Sequence, residues 1–227
     1  MSKTIPVITI DGPGGSGKGT VSLRLAEKLG WHLLDSGALY RLVAVAALKW
    51  DIAADDEPAL GELAAGLQAE FSVRNREVRV QLEGEDVTQT LRSEAVSVLA
   101  SQLATLPSVR QALVDRQRAF RQFPGLVADG RDMGTVIFPN APLKIYLTAS
   151  VEERAQRRYK QLKEKGESVN LSRLFQEIKK RDDRDRSRAA SPLVPASDAH
   201  LIDSTEMTID EVVQAILNLL EESNITR

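Results

Sequence analysis

No cysteine occurs among the 227 residues, so the chain forms no disulfide, offers no thiolate nucleophile and holds no metal through sulfur. Long apolar runs are missing too. The stretch from Leu42 to Leu48 is far shorter than the roughly 20 residues a bilayer-spanning helix needs. Charge of one sign is not in excess either. Lys plus Arg number 30 and Asp plus Glu 32, a formal net charge of -2, which argues against a nucleic-acid or membrane surface held by charge alone and makes any anion site a local one. The first residues carry no secretory pattern, because Lys3 precedes a short apolar run that ends in a charged, glycine-rich loop. Histidine is scarce. His32 and His200, like Trp31 and Trp50, stand beside apolar runs as packing or surface residues do, and no spacing suggests a metal-ligand set. The expectation is a soluble, cytoplasmic protein, monomeric, with no nucleic-acid or membrane partner.

What is present is an alternation of short apolar runs with amphipathic segments. Val7 to Ile10 precedes Gly17 to Leu29; Leu33 and Leu34 precede Ala38 to Trp50; Leu126 to Ala128 stands alone; Leu143 to Leu147 precedes Val151 to Lys163. This rhythm predicts an α/β fold, a mostly parallel sheet with helices on both faces. A further buried run is expected at Leu201 and Ile202, before a closing helix from about Ile209 to Leu220 with Thr208 as N-cap and Glu211 three residues on. The length suits one domain spanning 1–227 with decorations better than two independent domains. One region changes period: Phe71, Val73, Val78, Val80 and Leu82 alternate, with Asn75 and Arg76 between them as a turn. A small antiparallel hairpin follows, and the long stretch that holds it, between Arg41 and Ala128, predicts an inserted subdomain at about 60–98.

The strongest local signal is Gly12-Pro13-Gly14-Gly15-Ser16-Gly17-Lys18-Gly19-Thr20, directly after one expected strand and before a helix. Glycines let backbone N-H groups turn toward an anion, the helix adds the positive end of its dipole, and Lys18 can reach β and γ phosphates. Gly19 stands where the general pattern has a hydroxyl, which arrives one place later at Thr20. The loop alone does not separate kinases from switches, motors and ATPases. A GTP switch would need an Asn-Lys-x-Asp element, and the chain has none.

Three other segments collect polar residues. Ser36, Tyr40 and Arg41, in Leu34-Asp35-Ser36-Gly37-Ala38-Leu39-Tyr40-Arg41, follow the second expected strand, where parallel sheets open a crevice; Ser36 and Arg41 lie about one helical turn apart. A capping serine beside a surface arginine is the plainer reading. Arg131 and Asp132, in Ala128-Asp129-Gly130-Arg131-Asp132-Met133-Gly134-Thr135, sit in a glycine-flanked loop where a planar guanidinium suits two phosphate oxygens; a turn-stabilising aspartate is the alternative there. In Arg181-Asp182-Asp183-Arg184-Asp185-Arg186 and onward, Arg181, Arg184, Asp185 and Arg188 share one helical face, and three arginines on one face call for an anion, unless the segment is simply a solvated helix.

With Ile10-Asp11-Gly12-Pro13 leading into the phosphate loop, these four segments, in this order, resemble the bacterial cytidylate kinases over essentially the whole length. The Gly17-Lys18-Gly19-Thr20 ending also resembles the wider nucleoside monophosphate kinases. The resemblance implies a P-loop kinase fold with a monophosphate-binding insertion bearing a small antiparallel sheet and a short lid at about 151–170. It implies ATP as co-substrate and CMP or dCMP as acceptor, with Mg²⁺ held mainly by ATP phosphates and water, Thr20 and Asp129 being candidate partners. It implies that Arg41, Arg131 and Arg188 contact the acceptor phosphate, Ser36 and Tyr40 line the pyrimidine pocket, Arg110 and Asp132 read cytosine, and Arg181 and Asp185, near Ser101, face the ribose. Lys18, with Arg154, Arg157 and Arg158 at the start of the lid, would neutralise the transferring phosphoryl group. The alternatives are another small P-loop kinase, for a different monophosphate or a shikimate-like acceptor, and a regulatory nucleotide-binding module. The latter would want an exposed apolar patch, whereas the arginine-rich face suits a charged small ligand.

Overall fold

The computed structural model describes residues 5–74, 77–164 and 166–223. In chain order its elements are β1 (Val7–Asp11), α1 (Lys18–Leu29), β2 (His32–Asp35), α2 (Ser36–Lys49), α3 (Glu57–Ala65), β3 (Ala69–Arg74), β4 (Glu77–Leu82), β5 (Glu85–Asp86), α4 (Glu94–Leu103), α5 (Pro107–Ala119), β6 (Leu126–Gly130), β7 (Leu143–Thr148), α6 (Val151–Glu164), α7 (Leu171–Ser187), β8 (His200–Asp203) and α8 (Ile209–Glu222), with a 3₁₀ turn at Thr90–Arg92 and a π turn at Met133–Ile137. The chain divides into two compact units, Met1–Asp35 with Arg118–Arg227, and Ser36–Gln117. No helix among the described residues is long and apolar enough to cross a membrane.

The first unit is built on a five-stranded sheet in the order β2-β6-β1-β7-β8, parallel at every pairing. Strands β1 and β6 are buried along their whole length, as continuous apolar runs in parallel sheets require. The chain leaves β1 between β6 on one side and β7 on the other, so the carboxyl ends of these three strands form the switch point where such sheets open toward ligands. Helices α1 and α8 supply Val21, Leu25, Val212, Val213 and Ile216 to a core shared with Ile8, Ile10, Val127 and Ile145. The start of α8 is fixed by a reciprocal capping box between Thr208 and Glu211, which satisfies two otherwise orphan N-H groups.

The second unit holds α2 to α4, most of α5 and a three-stranded antiparallel sheet in the order β3-β4-β5. Its register sets Phe71 opposite Val80 and Val73 opposite Val78, the hairpin that the period-two pattern requires; the turn expected at Asn75 and Arg76 lies outside the described residues. Helix α2 is buried on most sides because it is almost wholly Ala, Val and Leu after its first turn. Leu39, Leu42, Leu60, Leu82, Leu103 and Leu113 are fully buried in this unit.

One expectation is corrected. Leu201 was read as part of a buried run, but it is 68% exposed. The reason is its place: β8 is an edge strand that pairs with β7 alone, so an apolar run there need not be covered on both faces.

Gly125, just before β6, shows how tightly the sheet is packed. A Cβ there would lie 2.4 to 2.8 Å from three ring atoms of the buried Trp31. Gly125→Ala is expected to cost about 1–3 kcal/mol of stability, the usual penalty for overpacking, read as a lower urea midpoint at unchanged slope.

Candidate active site

The glycine-rich loop leaves β1 at Asp11 and ends where α1 begins at Lys18. Gly12 has a φ of 147°, and a Cβ on it would fall 2.0 Å from the Leu147 carbonyl oxygen of β7, so no larger residue fits. Gly17 caps α1 in the left-handed region, with φ of 93°. The loop therefore hugs the sheet and leads directly into the positive, N-terminal end of α1.

Three of its carbonyls are held by named donors. Pro13 O accepts from Lys18 Nζ at 2.8 Å and Ser16 Oγ at 3.1 Å. Gly14 O accepts from Arg154 Nη1 at 3.0 Å, and Ser16 O from Ser204 Oγ at 3.1 Å. Ser204 is itself held by Arg157, whose Nη2 donates to Ser204 O at 2.6 Å while its Nε donates to Glu153 at 2.8 Å.

Positive charge gathers over this loop. A Cβ on Gly14 would lie 3.4 Å from Arg131 Nη2 and 3.7 Å from the Arg181 guanidinium. Carboxylates interleave with these cations: Arg131 Nε donates to Asp185 Oδ2 at 3.0 Å, and a Cβ on Gly19 would lie 3.5 Å from Asp129 Oδ2. Asp11 accepts from the Met133 and Gly134 N-H groups, both at 2.8 Å, which fastens the end of β1 to the loop that carries Arg131 and the buried Asp132. Burial pushes the Asp11 carboxyl up to about 7, against the pull of those two N-H groups. Burial pushes the Lys18 ammonium down to about 7; Arg131 adds to this, while Asp129 and Asp11 oppose it. A lysine so desolvated among arginines gains most from an incoming anion.

Helix α7 brings Arg181, Asp182 and Asp185 to the site and ends at Ser187. Arg188 is its C-cap in extended backbone, so it stands just beyond the helical face on which its spacing placed it; its Nε donates to Ser191 O. The α6 arginines differ from one another. Arg154, expected over the γ phosphate, is 2% exposed and donates to Ala149 O, Gly14 O and both oxygens of Asp182. Its length lies against the glycine loop, since a Cβ on Gly15 would meet Arg154 Cβ at 3.3 Å.

The second unit carries Ser36, Tyr40, Arg41, Ser101 and Arg110. Ser36 Oγ donates to Gln117 Oε1 at 2.7 Å, with both residues buried. The Arg110 guanidinium stands 5.8 Å from the Tyr40 ring centroid, within cation-π range, and Nη1 donates to Ala104 O at 3.1 Å. Ser101 is buried on α4 and Arg41 half-buried on α2.

Asp11, Asp182, Ser204 and Gln117 were given no role from sequence. Asp11 did leave a signal, a carboxylate closing a buried, mostly apolar strand; the others act on residues remote in the chain, which no local pattern reveals.

A backbone cradle at the switch point of a parallel sheet, a buried lysine at its mouth and arginines ranged over it serve one chemistry, the handling of nucleotide phosphates, and the fold around them is that of a P-loop kinase, an ATP-dependent phosphotransferase. The family model described as cytidylate kinase matches residues 8–222. Proteins named cytidylate kinase are 60% identical in Aeromonas salmonicida (strain A449), covering 98% of this chain and 96% of that protein, and 60% identical in Sodalis glossinidius (strain morsitans), covering 96% of each. One from Stutzerimonas stutzeri (strain A1501) is 57% identical and covers 99% of each. The chain belongs to the cytidylate kinase family.

The lowered Lys18 value has a stability consequence. The unfolded lysine titrates near 10.5 and the folded one near 7, so the cost of its charge is fully present below about 7 and vanishes above 10.5. Lys18→Met is therefore expected to melt above the parent protein at pH 7, with the gap closing as pH rises toward 10.5, followed by thermal unfolding across that range.

Proposed function

We propose that the protein transfers the γ-phosphoryl group of ATP to CMP or dCMP, giving ADP and CDP or dCDP, with Mg²⁺ required. The observation that carries this reading is the gathering of Lys18, which donates to Pro13 O, with Arg131 and Arg181 beside Gly14 of the same loop, in a chain of the cytidylate kinase family. The Gly12 to Thr20 loop binds the ATP phosphates. Mg²⁺ would be held mainly by those phosphates and water and would neutralise charge on them, with Asp129, whose carboxylate faces Gly19, and the exposed Thr20 as candidate partners.

The acceptor is already a phosphate, largely dianionic near neutral pH, so no general base is needed. The work is to align two mutually repelling polyanions and stabilise charge on the transferring group. Arg41, Arg131 and Arg188 take the acceptor phosphate, and Arg131 is oriented for it by Asp185. Asp132 and Arg110 read cytosine, since a carboxylate accepts from the exocyclic amino group that uracil lacks. Ser36 and Tyr40 line the base, and Arg181 and Asp185 with Ser101 face the sugar. Residues of about 60–98 belong to the monophosphate-binding part and about 151–170 to a lid whose closure excludes water. Within that lid Arg154 and Arg157 are committed to protein acceptors, and Arg158 is the arginine we assign to the γ phosphate. The same reading makes the protein a cytoplasmic monomer.

A coupled ADP-release assay with ATP, Mg²⁺ and CMP, dCMP, UMP, AMP or dTMP tests this. Turnover is expected to favour CMP and dCMP and to be lost in Lys18→Ala; ADP release without acceptor, or with AMP or dTMP alone, would overturn the cytosine assignment. Arg158→Ala is expected to lower kcat about 10²- to 10³-fold, the order expected when one charge-stabilising donor is removed, with little change in KM for CMP.

A further inference from the structure

Asp182 lies in a charge-dense helix and has no part in the reading above, yet it is 3% exposed and forms a two-pronged pair with Arg154, at 3.0 and 2.5 Å. Such a pair deep in a protein is costly to assemble and is weak evidence for stability as such. What it does hold is a specific geometry. Arg154 is anchored from behind by Ala149 O, locked in plane by Asp182, and left with one N-H of Nη1 directed at Gly14 O. A trans peptide points its C=O and the following N-H in opposite directions. Holding Gly14 O toward Arg154 therefore turns the Gly15 N-H to the opposite side of the loop.

The other two carbonyl clamps obey the same rule. Lys18 and Ser16 on Pro13 O direct the Gly14 N-H, and Ser204 on Ser16 O directs the Gly17 N-H. Glycines resist none of this by themselves, because each populates several backbone regions freely. The orientation has to be imposed from outside the loop, and the Gly14-Gly15 peptide, flanked by glycine on both sides, depends on it most.

We propose that Arg154 and Asp182 are a positioning pair, which acts through the Gly14 carbonyl to aim the Gly15 N-H at the bound ATP phosphates. Asp182 reaches the nucleotide only through Arg154, and Arg154 only through the backbone. Three residues further along α7, Asp185 does the corresponding service for Arg131, so the helix carries one positioning carboxylate for the loop and one for the arginine over it. The proposal rests on ATP being the phosphoryl donor and is independent of which acceptor is used.

The test measures ATP affinity directly, by calorimetric titration without acceptor, beside KM and kcat with CMP. Asp182→Asn keeps size but turns an amide N-H toward the guanidinium; the expected result is ATP affinity at least tenfold weaker, with KM for CMP within about threefold of the parent. Arg154→Lys, which keeps the charge but not the planar fork, is expected to be equally impaired. In case an uncompensated buried charge prevents folding, the double variant Arg154→Met with Asp182→Leu removes both charges at similar volume. It is expected to fold with an unfolding midpoint near that of the parent and still to show the ATP defect, because Gly14 O has lost its donor. ATP affinity within twofold of the parent in Asp182→Asn or in the double variant would overturn the proposal, as would a defect confined to the KM for CMP. Failure of the parent protein to phosphorylate CMP would overturn the functional reading instead and leave the titration to decide this one.

Discussion

Collecting positive charge in a buried place is the constraint from which the arrangement of this site follows. Lys18, Arg131, Arg154 and Arg181 crowd around a few glycines at the carboxyl end of the sheet, in a chain whose net charge is only -2. Unbalanced, such a cluster would repel itself and forfeit hydration worth several kcal/mol per ion. The chain answers by interleaving carboxylates: Asp182 beside Arg154, Asp185 beside Arg131, Asp129 and Asp11 beside Lys18. Arg154 is paired with Asp182, whereas Lys18 is driven far below its ordinary range by burial and Arg131. The loop is thus left short of negative charge at the one place where a polyphosphate would supply it. A preorganised deficit of this kind stabilises charge without reorganising at the moment of reaction.

The loop itself contributes backbone more than side chains, and a backbone ligand has to be aimed. Donors from α1, α6 and the segment after β8 each take one of its carbonyls, and Gly12 lies so close to β7 that even a methyl group is excluded. Sheet, helices and loop therefore fix one another. Asp11 extends the same logic sideways, since its two hydrogen bonds make the Arg131 loop a continuation of β1 as much as of β6.

Much of this was legible in the sequence, for reasons of local physics. The parallel sheet showed as apolar runs without alternation, the small antiparallel sheet as a switch to period two, and the phosphate loop as glycines between a strand and a helix. The start of α8 was readable from Thr208 and Glu211, because a capping box is complete within four residues. What stayed hidden depends on partners far apart in sequence. Nothing near Asp182 distinguishes it from its charged neighbours, for its partner lies on another helix; nothing near Arg154 tells that it faces inward under the loop. Leu201 misled because an apolar pattern reports a strand and says nothing of its rank in the sheet, which topology decides.

That rank has a further meaning. The sheet ends on β2 and β8, each only four residues long, while the strands between them run to five or six. An outer strand exposes unpaired peptide groups on which another chain can add itself, and the shorter it is the poorer a template it makes. The tapering of the sheet toward both sides thus blunts intermolecular strand addition, the margin on which Leu201 is exposed included.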